Sequence, residues 1–158
     1  MATPYSEYVG DRDPVVVLRE SFEAYRALDG AVRAEDWDTH VAPGKWTIRQ
    51  VIVHVAQWEM ILGLRLRFAL GSPDYVIKPF EQDDLMGEAD VVDGPTALAA
   101  LQAVRRMTLT FVESLTPEQR RQRTRHAERG EIDVEDILVT LAGHGVHHLR
   151  QVQRPIGV

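Results

Sequence analysis

The chain has 158 residues, 24 acidic against 18 basic side chains for a formal net charge of −6, six histidines and no cysteine. That length suits one domain over residues 1–158, and 44% hydrophobic with 27% charged residues is a globular composition, neither fibrous nor disordered. Without cysteine there is no disulfide framework, thiolate nucleophile, iron–sulfur cluster or cysteine-ligated zinc, and an acidic balance with pI about 5.5 argues against a nucleic-acid binder.

The N-terminus, Ala2-Thr3-Pro4-Tyr5-Ser6-Glu7, has neither the basic region nor the apolar core of a secretory signal. The first helix is expected over 14–28, with Asp13 as N-cap, Pro14 at the first helical position and Gly30 as the stop. Val15, Leu18, Phe22 and Tyr25 repeat at steps of three and four and form its buried stripe. The second spans 48–70: Thr47 and Gln50 make a capping box, Gly63 is the one weak position, and Gly71 and Pro73 end it. This stretch carries His54, Glu59, Arg65 and Arg67, so it is no membrane span, and a cytoplasmic location is expected. A third helix is expected over 95–115, with Leu101, Val104, Thr108, Phe111 and Leu115 on one side, and a short helical turn after Thr116 and Pro117. The fourth long helix starts at Asp133, has Glu135 and Asp136 in its first turn, and runs to about Gln153, before Pro155.

No segment shows the sustained alternation of a half-buried strand, so the fold class is all-α, a four-helix bundle. The connection over 71–94 is too long for a hairpin and must cross the bundle or lie over one end. The basic run Arg120, Arg121, Arg123, Arg125 and Arg129, interleaved with Glu118, Glu128 and Glu131, reads as a solvated surface segment.

The histidines carry the chemistry. At about 100° per residue, His144 and His148 fall within the apolar stripe of Ile137, Leu141 and Val152, whereas His147 sits at its boundary. Residues i and i+4 stand one above the other on a helix, the spacing by which two imidazoles reach one ion. On the second helix His54 shares a stripe with Val51, Trp58, Ile61 and Arg65. Three inward histidines with an open fourth position make the pattern of a catalytic metal site. His40 and His126 fall in connections and read as surface residues. Glu59 lies about 140° from His54 and reads as a surface acid. Gln57 and Trp58 flank the ligand face, Trp58 more as core packing than as a substrate platform. Arg65 needs a partner if buried, and Asp83 and Asp84 read as solvated loop. Ile52 and Val55, off the buried stripe, make a homodimer plausible.

The run Gly44-Lys45-Trp46-Thr47-Ile48-Arg49-Gln50-Val51-Ile52-Val53-His54-Val55-Ala56-Gln57-Trp58-Glu59 resembles the start of the second helix in DinB-like proteins, the damage-inducible and YfiT-like superfamily. Ala142-Gly143-His144-Gly145-Val146-His147-His148-Leu149-Arg150-Gln151 is similar to the fourth-helix motif of that group, and Pro79-Phe80-Glu81-Gln82-Asp83-Asp84 to a loop of one branch. The resemblance implies a four-helix bundle, often dimeric, with a divalent ion, zinc or nickel, held by His54, His144 and His148. His147, Gln57, Trp58 and Arg65 are then pocket or supporting residues. It also implies a range of activities, from transfer of small thiols such as bacillithiol or mycothiol to thiol-dependent isomerisation of maleylpyruvate, with many members of no assigned function; a three-histidine metal site itself also suits hydrolysis through metal-bound water. Any thiol must be a small-molecule cosubstrate, since the chain has no cysteine. The rival reading is a non-catalytic metal-binding bundle serving as a structural or interaction module. The chain departs from the fullest family pattern at Gly145 and over 72–93.

Overall fold

The computed structural model describes residues 3–158. The helices are α1 (Pro14–Ala27), α2 (Ile48–Gly71), α3 (Gly94–Glu113), the short α4 (Pro117–Arg120) and α5 (Val134–Ile156). Their starts are set by the caps the sequence supplies. Asp13 accepts the Val15 N–H at 2.8 Å, while Thr47 with Gln50 and Asp133 with Asp136 close reciprocal capping boxes. Contrary to expectation, α5 runs through Pro155. The missing N–H falls in the last turn, where it forfeits a single bond to the Gln151 carbonyl, and Gly157, left-handed at φ 74°, closes the helix.

The expectation of no strands fails in one place. Arg123–His126 (β2) and Gly130–Asp133 (β3) form an antiparallel hairpin, with Val76–Ile77 (β1) parallel to β2 in the order β1-β2-β3. The inward residues of β2 are Thr124 and His126, neither of them aliphatic, so the alternation carries no apolar signal. His126 is therefore buried rather than at the surface.

α1 and α2 each pack against both α3 and α5, which places the consecutive helices α1 and α2 diagonally. Two apolar clusters fill the bundle. One joins Val15–Phe22 of α1, Leu62–Ala69 of α2, Leu109 and Val112 of α3 and Val134–Ala142 of α5. The other joins Tyr25, Ile48–Ala56, Ala97–Leu101, Leu149 and Val152. Their order along each chain segment gives the directions: α1 and α5 run one way, α2 and α3 the other. Parallel neighbours α2 and α3 require a connection as long as the bundle, and residues 72–93 provide it, as one of the two expected routes. The segment pairs β1 with the hairpin, then lays the 3-10 stretch Gln82–Asp90 along α2. Arg49 donates to the Ala89 carbonyl and Gln57 to the Leu85 carbonyl and Glu88 carboxylate, fixing it there.

Covered by α3, α5 and this segment, α2 is buried on every face from Val51 to Gln57. Ile52 and Val55 are therefore core residues and offer nothing to a second copy; the exposed large apolar side chains of α2 are Met60, Leu64 and Phe68. The buried face of α3 is rotated from the expected stripe, with Leu98, Leu101, Arg105, Thr108 and Val112 inside and Val104 and Phe111 half-buried. Among the described residues no helix is long and apolar enough to cross a membrane.

Candidate metal centre

Between the two apolar clusters every long helix contributes polar residues, and they form one layer: Ser21, His54 with Glu59, Arg105 with Thr108, and His144 with His148, all buried. Buried polar groups need partners, and the layer divides into two parts by how it meets that need.

The first part is an ion pair. Arg105, only 1% exposed, donates from Nε to Glu59 Oε2 at 2.7 Å and from Nη1 to Ser21 Oγ at 3.0 Å. Glu59 is thus no surface acid. Facing α3 rather than solvent, it neutralises the buried Arg105 guanidinium. Tyr25, also in this layer, donates its hydroxyl to the Gly145 carbonyl at 2.8 Å, and burial pushes its phenol well above the ordinary value.

The second part is the histidine cluster. His54, His144 and His148 each offer a nitrogen within 4.8 Å of the others. His54 Nε2 lies 3.0 Å from His144 Nε2, and His148 Nε2 is buried with no hydrogen-bond partner among the described residues. Two nitrogens on one tetrahedral zinc stand about 3.3 Å apart, given Zn–N bonds of about 2.0–2.1 Å, so the His54–His144 pair is near ligand spacing and a small approach of His148 would complete a three-nitrogen site. His148 Nδ1 donates to Gln151 Oε1 at 2.8 Å, and this bond fixes the tautomer that leaves Nε2 bare. Gln151 Nε2 in turn donates to His147 Nε2 at 3.1 Å, whose Nδ1 donates to the Tyr8 hydroxyl at 2.6 Å. Burial, aided by the neighbouring His147 charge, lowers His54 to about 4. Burial, then the His54 charge, lowers His148 to about 3, and burial puts His144 well below its ordinary range. All three are neutral near pH 7, the state in which imidazole ligates a cation.

Aromatic rings enclose the cluster. Trp58 stacks on His144 at 4.6 Å and 24°, Trp46 lies 5.0 Å from His54, and Tyr5 meets His144 edge-on at 5.3 Å. A cleft of about 510 Å³, lined in part by Lys45, Trp46, Gln82, His148, Gln151 and Arg154, reaches it from outside.

Of the expected supporting residues, His147 and Trp58 adjoin the cluster. Gln57 is turned to the 82–90 segment, and Arg65 lies against the Phe80 ring and the Lys78 carbonyl. His40 is exposed, as are Asp83 and Asp84. Gln151, Trp46, Tyr5 and Tyr8 were not expected. Gln151 was within reach of the same helical spacing, standing three residues beyond His148 and four beyond His147; the others come from segments without helical geometry to place them.

The model of the DinB superfamily matches residues 18–152. The chain belongs to the DinB superfamily. A relative from Oceanobacillus iheyensis, named as a candidate metal-dependent hydrolase, is 29% identical over 119 residues, 75% of this chain and 69% of its own length. Another from Geobacillus thermodenitrificans, named likewise, is 27% identical over 141 residues, 87% of this chain and 79% of its own. YfiT from Bacillus subtilis, described as a probable metal-dependent hydrolase with an unusual four-helix bundle topology, superposes with TM-score 0.76 at 23% identity, covering 91% of this chain and 86% of that one. That likeness shows that the two chains share a four-helix bundle fold.

Proposed function

We propose that this DinB-superfamily chain is a metal-dependent hydrolase of small molecules, with His54, His144 and His148 holding one divalent ion of the zinc or nickel kind. The observation that carries the reading is the bare, buried Nε2 of His148 facing the Nε2 pair of His54 and His144, an arrangement that costs stability unless a cation meets it. The names of the relatives support hydrolysis over the other chemistries of the group. When bound, the ion supplies Lewis acidity, which makes water, or a small-molecule thiol, a nucleophile near neutral pH.

The chain's own residues do the rest. Gln151 orients His148 and holds its proton on Nδ1, while Tyr8 and His147 hold Gln151. Trp46, Trp58 and Tyr5 keep bulk water from the imidazoles, and the cleft past Trp46 and His148 admits a substrate of small-molecule size.

The test begins with elemental analysis of protein purified without a histidine tag. One divalent ion per chain is expected, lost in His148→Ala and restored to wild type after chelation and reloading. Protein that takes up no stoichiometric metal on reloading refutes the site. Loaded wild type and His148→Ala are then compared on panels of ester, amide and phosphoester substrates and on thiol conjugation with bacillithiol or mycothiol. Turnover confined to the thiol arm replaces hydrolase with transferase, and full metal without turnover on either arm favours a structural module.

A further inference from the structure

The basic run that reads as solvated surface is paired in its first part only. Arg120 bridges Asp13 and Glu135, Arg121 meets Glu118, and Arg123 meets Glu131. Arg129, in the turn of the β2–β3 hairpin, is half-buried instead and has no carboxylate within 4 Å among the described residues. It lines a cavity of about 200 Å³ together with Arg65, which likewise lacks a carboxylate partner, and His126.

Two of the three donors in this cavity, Arg65 and His126, are held in place. Arg65 donates to the Lys78 carbonyl and lies 5.3 Å from the Phe80 ring centre. Burial first, with the Arg129 charge among the further causes, pulls it below its ordinary value, so the two guanidiniums feel each other. The backbone N–H groups of Glu128 and Arg129 both donate to His126 Nδ1, at 3.2 and 3.3 Å. That nitrogen is therefore the acceptor, and the neutral ring carries its proton on Nε2, which has no partner among the described residues. Two cations without a carboxylate partner among the described residues and an N–H donor thus share a small, partly desolvated space, with Glu128 the one acid in its lining. Much of the remaining lining is apolar, with Ile137 and the Trp58 and Phe80 rings, whose centres lie 5.3 Å apart. Like charges gathered without a counter-ion are costly, and an oxyanion removes that cost while accepting all three donors.

We propose that this cavity binds the oxyanion end, phosphate or carboxylate, of a small molecule with a flat apolar body, the anion on Arg65, Arg129 and His126 and the body against the wall that Trp58 and Phe80 form together. At about 200 Å³ it is smaller than the ~300–1,000 Å³ of clefts for drug-sized ligands, which limits the occupant to about one ring and its acid group. Trp58 also stacks on His144, so one side chain separates this cavity from the histidine cluster. The anion site itself needs no metal.

Chelator-treated full-length protein is titrated with phenyl phosphate in one arm and benzoate in the other, followed by calorimetry and tryptophan fluorescence. Saturable one-to-one binding is expected in at least one arm, weakening as salt rises, and the tighter arm names the oxyanion. Arg129→Gln, a half-buried hairpin side chain with no bond to lose, is expected to weaken it about tenfold or more with an unchanged melting temperature, and Glu128→Gln to tighten it several-fold. Inorganic phosphate or phenol alone is expected to bind more weakly than phenyl phosphate. No saturable binding in either arm, affinity unchanged in Arg129→Gln, or binding that appears only after metal is returned overturns the proposal. The last outcome would place the anion on the ion, leaving the metal reading standing while this one falls.

Discussion

Gln151 stands between two histidines of one helix, its oxygen on His148 Nδ1 and its nitrogen on His147 Nε2. Groups that orient a metal-binding imidazole typically account for 10–100-fold in metal affinity. Gln151→Leu is therefore expected to weaken zinc binding by about that factor in competition with a chelating dye, while Gln151→Glu, which keeps an acceptor oxygen for His148, restores most of it. Equal affinity in wild type and Gln151→Leu would remove Gln151 from the site. Gln151 was legible in principle, because its spacing from His147 and His148 is the spacing that selected the histidines. Glu59 was not, and the reason is physical: its angle from His54 says where it points, but exposure depends on what α3 puts there. Ile52 and Val55 were misjudged for the same reason, on a helix that is covered all round over its first half.

His144 is flanked on α5 by two glycines, and each leaves room for another element. A Cβ at Gly143 would lie 2.2 Å from the Tyr5 carbonyl oxygen, and one at Gly145 would lie 3.0 Å from Arg105 Nη2. Replacing an exposed helical glycine by alanine gains about 1 kcal/mol of propensity, whereas forcing atoms into a packed site costs about 1–3 kcal/mol. At Gly143 the obstacle is backbone, so the cost prevails: Gly143→Ala is expected to lower the melting temperature and to raise hydrogen exchange over residues 3–9, as the segment carrying Tyr5 and Tyr8 lifts from α5. At Gly145 the obstacle is a side-chain end, but one pinned by Glu59 and Ser21, so the two terms nearly cancel and the change in melting temperature should be small. A Gly143→Ala variant as stable as wild type would show that the N-terminal segment does not depend on this contact. Gly145, a departure from the family pattern in sequence, thus has a reason in the neighbouring guanidinium. The four long helices were legible because each begins with a capping residue and carries an apolar stripe. The hairpin was not, because Thr124 and His126 fill its inward positions. The crossover length was legible, but its route along α2 follows from α2 and α3 being parallel, which no local pattern encodes.

Across the whole bundle, stability rests on a polar layer between two apolar clusters, and the layer's two parts should respond differently to perturbation. Removing one partner of a buried ion pair costs about 3–5 kcal/mol, while replacing both by apolar groups of similar size is often near neutral. Arg105→Met alone should therefore lower stability by about that amount in urea, and Arg105→Met with Glu59→Leu should recover most of it; additive losses would mean the pair is not coupled. The histidine part gives the molecule a pH dependence whose sign follows from burial. In the unfolded chain each histidine titrates near 6.5, whereas in the fold His54 and His148 are lowered to about 4 and about 3 and His144 well below its ordinary value, burial being the first cause in all three. The charges facing them, Arg105 and His147 together with their mutual repulsion, act in the same direction on His144. Above pH 6.5 neither state binds these protons and stability is flat. Below it the unfolded chain takes up protons that the fold refuses, so stability falls as pH drops and levels off only once the folded pKa values are passed. The slope is at most about 1.4 kcal/mol per pH unit for each histidine. In chelator, the urea midpoint is thus expected to fall steadily from pH 7 to pH 4, and replacing His54, His144 and His148 together by leucine or glutamine should flatten that limb. A metal-free wild type whose midpoint is level between pH 7 and pH 4 would mean that the three imidazoles accept protons in the fold, and so are not the dry, neutral cluster that a divalent ion requires.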